Sequence, residues 1–483
     1  MMKKFKLHSI LILSVSLFGC SDFLEVEPDQ QISITEQLST KAGVLEALNG
    51  IYRDVEAQLS GRTRLYADLQ GGNLTFSPSV TTQLIGVPGA IENSYDFSDL
   101  EEQSDYAGMY ADYYDIINQI NVILAEINAF DFFSSAESDQ LEAELLSIRA
   151  LAHYELSIHY AQNYGFTEDA GHLGIVYATQ PLDIGEDFPS RLSLRESYAL
   201  LKMDLETALG LFTSQQALPG PDYSLFNTIT TQALYARIAL QMNDWPQALA
   251  MANAVIQSSG ISLTTTENLV EQWEKDEEPI DEVILEFSAP RSSEGDVSSS
   301  IAAFFNYNAP DNYDEYVASG DLLKLYSDQD VRGELFIETA LPTKRNDVTA
   351  EETYYFTKKF QGNAGTLYIR LSEIYLIKAE AHARIGETNQ ALAALNTIRE
   401  RAGLSPLNST VMLLEEIFIE RRRELVFEGH LYFDIARFQR DVTRDEGCLA
   451  TTCDLDYPSN FFVLPIPTSS TELNQNIVQN EGY

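Results

Sequence analysis

The chain has 483 residues, with 31 Lys and Arg against 73 Asp and Glu, a formal charge of −42 at pH 7. Hydrophobic residues at 45% and aromatics at 11% supply ample material for a packed core, so an intrinsically disordered chain is excluded despite the charge. That charge repels phosphate backbones and anionic headgroups, which argues against nucleic-acid binding and against electrostatic adsorption to a membrane.

Residues 1–19 read as a cleaved lipoprotein signal. Lys3, Lys4 and Lys6 form a basic start, and residues 10–18 form an apolar run too short to span a bilayer. Leu17-Phe18-Gly19-Cys20 closes the segment like a lipobox: Gly19 gives a peptidase room, and Cys20 would carry the diacylglyceryl thioether. No later stretch approaches a membrane-spanning length, so the acyl chains would be the membrane attachment. No Gly- or Pro-rich linker divides the chain beyond Cys20, and residues 20–483 are expected to form a single domain.

Most of that domain reads as helix. Leu141, Leu145, Ile148, Leu151, Tyr154, Leu156 and Ile158 recur at three- and four-residue steps, predicting a helix over 138–164 ended by Gly165. A second long helix is expected over 194–212. There is also an internal repeat: residues 232–256 and 375–398 each read as helix, turn, helix. Aligning Gln247-Ala248-Leu249 with Gln390-Ala391-Leu392 brings Ala236 onto Ala379 and Asn253 onto Asn396. Small Ala side chains let paired helices approach closely, and the spacing is tetratricopeptide-like. Helix pairs are therefore expected near 138–215, 228–258 and 367–403, because such units bury their faces only by stacking. Val283-Ile284-Leu285 reads as a strand. Residues 71–91 and 288–313, richer in Gly, Pro, Ser and Asn, read as long loops, which in a helical protein often carry function. The expected class is mainly α, with helix pairs, long irregular loops and a few short strands.

Several chemistries are missing. There is no Walker loop, no His-Glu-x-x-His and no Gly-x-Ser-x-Gly. Asp328-Gln329-Asp330-Val331-Arg332-Gly333 imitates a calcium loop, but Arg332 occupies a ligand position and Glu338 falls one residue early. Carboxylates are too abundant for any pair to mark glycosidase chemistry. His153, His159 and His382 fall on helices and read as structural. Cys448 and Cys453 have four residues between them in a loop-like stretch. An exported chain meets an oxidising compartment, so a local disulfide is expected, whereas zinc would need further ligands. No metal or cofactor is expected. The Arg and Glu of residues 420–428 would share helix faces, as in Glu420–Glu424 and Arg421–Glu424, giving a partly buried ion network; anionic-ligand binding by Arg421, Arg422 and Arg423 is the alternative.

Collinear blocks resemble the SusD/RagB family of Bacteroidota lipoproteins. They are Cys20-Ser21-Asp22-Phe23-Leu24, Asn49-Gly50-Ile51-Tyr52, Ile148-Arg149-Ala150-Leu151-Ala152-His153-Tyr154, and Arg370-Leu371-Ser372-Glu373 with Asn396-Thr397-Ile398-Arg399. Glu420-Arg421-Arg422-Arg423-Glu424-Leu425, Leu464-Pro465-Ile466-Pro467 and Gln479-Asn480-Glu481-Gly482-Tyr483 complete the order. The resemblance implies a SusD-like helical body at the outer face of the outer membrane, capping a SusC-like TonB-dependent transporter and capturing oligosaccharides or peptides. It implies a binding protein and no enzyme. A surface glycoside hydrolase and a bare tetratricopeptide scaffold are the rival readings.

Sugar binding needs flat aromatic faces and planar hydrogen-bonding groups. Only two Trp exist, and Trp245 and Trp273 both read as packing residues, so Tyr and Phe must serve. The family analogy points to two loops. Arg62, Tyr66, Asp68, Asn73 and Phe76 are singled out in the first, and Phe305, Tyr307, Asn308, Tyr313 and Tyr316 in the second. The shortage of Trp argues against a large stacked glucan platform, and the charge argues against strongly anionic glycans.

Overall fold

The computed structural model describes residues 33–183, 185–275, 278–287, 300–362 and 364–483. Cys20, with the rest of the expected signal, and the first part of the second loop lie outside the described residues.

Helix α1 (Lys41–Leu59) starts where the Thr40 hydroxyl accepts the Gly43 N–H, and it buries Val44, Leu48, Ile51, Tyr52 and Val55 at helical spacing. The short α2 (Tyr66–Gly71) ends at Gly72, whose φ of +86° is one that L side chains avoid. Helix α3 (Ala107–Glu126) packs on α4 (Ser135–Tyr160), and α4 packs on α5 (Leu194–Leu211). Both α4 and α5 open with a capping box, Ser134 with Glu137 and Ser193 with Glu196.

Helix α4 stops at Tyr160, short of the expected Gly165. The Tyr160 carbonyl is taken by the guanidinium of Arg191 at 3.2 Å and the amide of Asn480 at 2.9 Å, so distant side chains finish the helix where a glycine was expected to.

Helices α6 (Thr228–Gln241) and α7 (Trp245–Ser258) form one pair, and α8 (Leu371–Arg384) and α9 (Thr388–Arg401) another. Their turns superimpose residue by residue. Asn243 and Gly386 both take positive φ, 58° and 85°. Asp244 and Glu387 share a backbone near φ −85°, at −84° and −86°. Ala236, Ala379, Ala248 and Ala391 are all fully buried, as close helix approach requires. Helix α7 stacks on α8, α5 on α6, and α10 (Leu413–Glu424) on α8 and α9, so the pairs form one continuous stack. Helix α11 (Leu431–Arg437) packs on α2. No helix among the described residues is long and apolar enough to cross a membrane.

The strands are few and paired in twos. Strand β1 (Leu74–Phe76) runs antiparallel to β5 (Tyr316–Ala318), β2 (Val283–Phe287) to β8 (Thr366–Arg370), and β3 (Tyr307–Ala309) to β4 (Asn312–Tyr313). Strands β6 (Phe336–Arg345) and β7 (Val348–Thr357) make a ten-residue ribbon, turned at Asn346 and Asp347 with φ of 48° and 65°.

A buried ion network ties β8 to the helices. Arg370 reaches Glu282 at 3.2 Å, Glu424 at 2.6 Å and Glu428 at 2.8 Å. Arg332 grips Asp330 at 2.7 Å and also meets Glu420 and Glu424, so the residue that spoils the calcium loop is an ion-pair member. Arg401 meets Glu424, and Lys359 meets Glu428 at 2.7 Å. The network is fully rather than partly buried, and its partners come from different elements. Arg421 pairs with Asp434 at 2.7 Å and not with Glu424. Burial alone would raise the Glu424 and Glu428 carboxyls; the surrounding Arg and Lys outweigh it and hold both below the usual range.

Candidate functional site

The two loops singled out in the sequence meet on one face. Strand β1 belongs to the first and β5 follows the second, with Phe76 directly opposite Tyr316 and their rings 5.7 Å apart. The Ser77 N–H donates to the Glu315 carbonyl at 2.8 Å, and the Tyr313 hydroxyl to the Pro78 carbonyl at 2.9 Å. Leu84 bridges to Lys344 on β6, so the ribbon closes the third side. Val317, Leu341, Tyr354 and Phe356 pack beneath, with Tyr307 and Tyr313 against them; the Tyr307 and Tyr313 rings lie 4.6 and 5.2 Å from that of Phe356.

The ten expected residues divide by depth. Tyr66, Asp68, Asn73, Phe76, Phe305 and Tyr316 are buried and present no face to solvent in this conformation. Tyr66 packs edge-on against Tyr106 and Tyr432, while Phe305 stacks on Phe360 and lies tilted against Phe427. The Asp68 carboxylate accepts from the Asn73 amide at 2.7 Å and from the N–H groups of Phe427 and Gly429 at 3.2 and 2.8 Å, which braces α2 against the chain after α10. Burial pushes its pKa up, and those donors with Arg64 pull it back. Asn73 accepts from Arg422 at 2.8 Å. These two polar residues fasten the loop internally.

The other four reach water. Arg62 is exposed beside Tyr316, whose hydroxyl burial pushes up to about 12 while Arg62 opposes the shift. Tyr307 is half-buried, its hydroxyl bonded to Thr339 at 3.0 Å, and Tyr313 is half-buried with its pKa raised by burial. Asn308 is exposed between them. The face therefore offers two fixed tyrosine rings, a carboxamide and a guanidinium. Trp245 and Trp273 lie elsewhere: Trp273 is buried, 4.4 Å under the Lys359 ammonium, and Trp245 opens α7.

Arg421, Arg422 and Arg423 are all engaged by the protein, with Asp434, Asn73 and the Leu325 carbonyl, so they form no ligand patch. The disulfide Cys448–Cys453 closes a loop that packs on β1, where the Thr75 hydroxyl donates to the Gly447 carbonyl. No group of three His, Cys, Asp or Glu among the described residues is placed to hold a metal.

Sequence reasoning missed a cleft of about 430 Å³ between α1 and residues 218–225, lined by none of the ten. Its signal was a polar stripe on α1 at helical spacing, which in a sequence looks like any solvated helix face.

These features define a stacked helical scaffold carrying one loop-built aromatic face. Residues 297–483 match the SusD family model, and residues 22–240 match a related model described as starch-binding and associating with the outer membrane. Over an alignment of 549 positions the chain is 22% identical to SusD-like protein P25 of Formosa agariphila, covering 99% of this chain and 100% of the relative. A stretch of 120 residues, 24% of this chain and 21% of the relative, is 34% identical to the starch-binding protein SusD of Bacteroides thetaiotaomicron. The fold matches the crystal structure of a SusD superfamily protein from Bacteroides thetaiotaomicron with a TM-score of 0.79 at 23% identity, covering 91% of this chain and 99% of that one. The chain belongs to the SusD/RagB family. The functions named among these matches are of binding: starch-binding for the second family model and for SusD of Bacteroides thetaiotaomicron.

Proposed function

We propose that this protein is an outer-membrane glycan-binding lipoprotein, anchored through Cys20 and facing the cell exterior, that serves as the lid of a SusC-like TonB-dependent transporter. It captures oligosaccharide between lid and barrel, and the transporter supplies the energy for import. The observation that carries this reading is the convergence of two sequence-distant loops and the β6–β7 ribbon on one face bearing Tyr307, Asn308, Tyr313 and Arg62. Rings held by packing and by a fixed hydroxyl lose little freedom on stacking against a sugar, and the carboxamide and guanidinium match its hydroxyls. The family model's starch-binding, outer-membrane description supports the same reading.

Charge favours a neutral ligand. Among the described residues eleven Lys and Arg side chains are buried against fourteen Asp and Glu, although acids outnumber bases by more than two to one in the sequence. The remaining surface is thus even more acidic than the composition suggests, and it repels sulfated or uronic polymers. A peptide cargo in the same lid role is the second reading.

Isothermal titration of the mature chain, with Cys20→Ser in place of the lipid anchor, against neutral glycans, anionic glycans and oligopeptides tests the ligand. Binding of a neutral glycan without turnover is the expected result. Binding of anionic polymers alone would overturn it. Co-purification of the lipidated protein with a TonB-dependent transporter tests the lid.

A further inference from the structure

Glu46, Asn49, Arg53 and Glu56 line the cleft from α1. They recur at three- and four-residue steps and so form one stripe along the helix, opposite the buried Val44, Leu48, Ile51 and Val55. Among the described residues none of these four side chains has a hydrogen-bonding or ionic partner. Arg53 and Glu56, three residues apart with opposite charge, do not pair, and Asn49 makes no internal hydrogen bond although it sits in the Asn49-Gly50-Ile51-Tyr52 block. Structure gives the stripe no task.

The opposite wall has a different character. Pro219 and Pro221 offer flat aliphatic rings, and the Ser224 Oγ is shielded from solvent with no partner. Leu45, Leu225 and Phe287 supply apolar lining. A volume of about 430 Å³ lies within the range of small-molecule sites.

The donor set selects the ligand. Three carboxylates line the cleft, of which Glu286 is buried and already engaged; the two left for a ligand, Glu46 and Glu56, only accept, the guanidinium only donates, and the carboxamide and hydroxyl do both. An anionic ligand would face Glu46, Glu56 and Glu286, and a cationic one would face Arg53 at the middle of the stripe. A neutral ligand whose groups both donate and accept satisfies the five unengaged groups, while its C–H faces lie on the proline rings. We propose that this cleft is a second binding site, separate from the loop-built face, for a short neutral oligosaccharide. The proposal rests on the glycan-binding reading for its choice of probe.

The mature chain with Cys20→Ser is applied to printed arrays of neutral oligosaccharides, anionic oligosaccharides and oligopeptides. It is compared with Asn49→Ala/Arg53→Ala and with Tyr307→Ala/Tyr313→Ala. Asn49 and Arg53 are exposed and unpaired, so their variant is expected to melt with the parent. At least one neutral oligosaccharide should lose about tenfold or more in affinity in the α1 variant and keep it in the loop variant, the size expected from removing two ligand hydrogen bonds. If the α1 variant binds every neutral oligosaccharide as the parent does while the loop variant loses them, the cleft proposal fails and the loop-face reading stands. If the α1 variant loses oligopeptides alone, the glycan assignment of the cleft is overturned. If the parent binds no neutral oligosaccharide, both readings fall.

Discussion

Arg370 in the helical stack and Arg62 on the loop-built face are the same side chain under opposite rules. Arg370 is fully buried among Glu282, Glu424 and Glu428, and desolvation makes each of those partners indispensable. Arg62 is exposed, with the Tyr316 hydroxyl as its neighbour in place of a carboxylate cage. The stack spends its charges internally; the face keeps a few planar groups in reserve. Residues that look alike in a sequence are thereby sorted by depth, and the ten expected site residues split along that line.

The sharpest way to break this contrast is to remove one member of the network. Glu424→Ala leaves Arg370, Arg332 and Arg401 short of a carboxylate and should cost about 3–5 kcal/mol in denaturant unfolding; a loss below 1 kcal/mol would show the network to be dispensable. Next come the buried aromatics. Phe305→Ala should lower stability by about 3 kcal/mol or more, whereas Tyr307→Ala, which removes a half-buried ring, should cost less, about 1–2 kcal/mol, and weaken glycan binding. If Phe305→Ala instead abolished binding in a fully stable protein, the division by depth would be wrong.

Replacing Cys448 and Cys453 by Ser opens a loop of only a few residues and should cost about 2 kcal/mol, read in the same unfolding assay. The smallest effect is a matter of sign. Glu424, Glu428 and Asp434 are held below the usual carboxylate range, because nearby Arg and Lys outweigh burial. Their contribution is present above the unfolded pKa of about 4 and is lost as pH falls through their folded values. Asp99, raised to about 6 chiefly by burial, acts oppositely: the folded protein holds its proton more tightly, so stability falls as pH rises from about 4 to 6. Melting curves of Asp99→Asn should lose that decline and run above the parent at pH 7. Parallel curves would refute the assignment.

Much of the fold was legible because helix stripes and paired turns are local signals. Ala236 and Ala379, or Asn243 and Gly386, announce a packed pair from a few residues of sequence. The end of α4 was not legible, since Arg191 and Asn480, which cap it, are far away in the chain. The site was legible only in outline. The two loops could be named, but Asp68 and Asn73 look like ligand-binding groups until their partners Gly429 and Arg422 are seen. The converse holds on α1, where an ordinary polar stripe turns out to line a cleft.

The pairing of β1 with β5 carries one more consequence, in the order of assembly. Ser77 and Asp314, joined beside that pairing, are 237 residues apart in sequence. Closing so long a loop is entropically unfavourable until the helices between have collapsed, so this edge of the molecule forms among the last parts to fold. A polypeptide halted before Tyr316 would carry helices α1 to α7 yet lack α8 to α10 and any counterpart for Phe76. Ligand capture is thereby restricted to chains that extend past the β6–β7 ribbon, and a shorter product would be silent rather than a competitor.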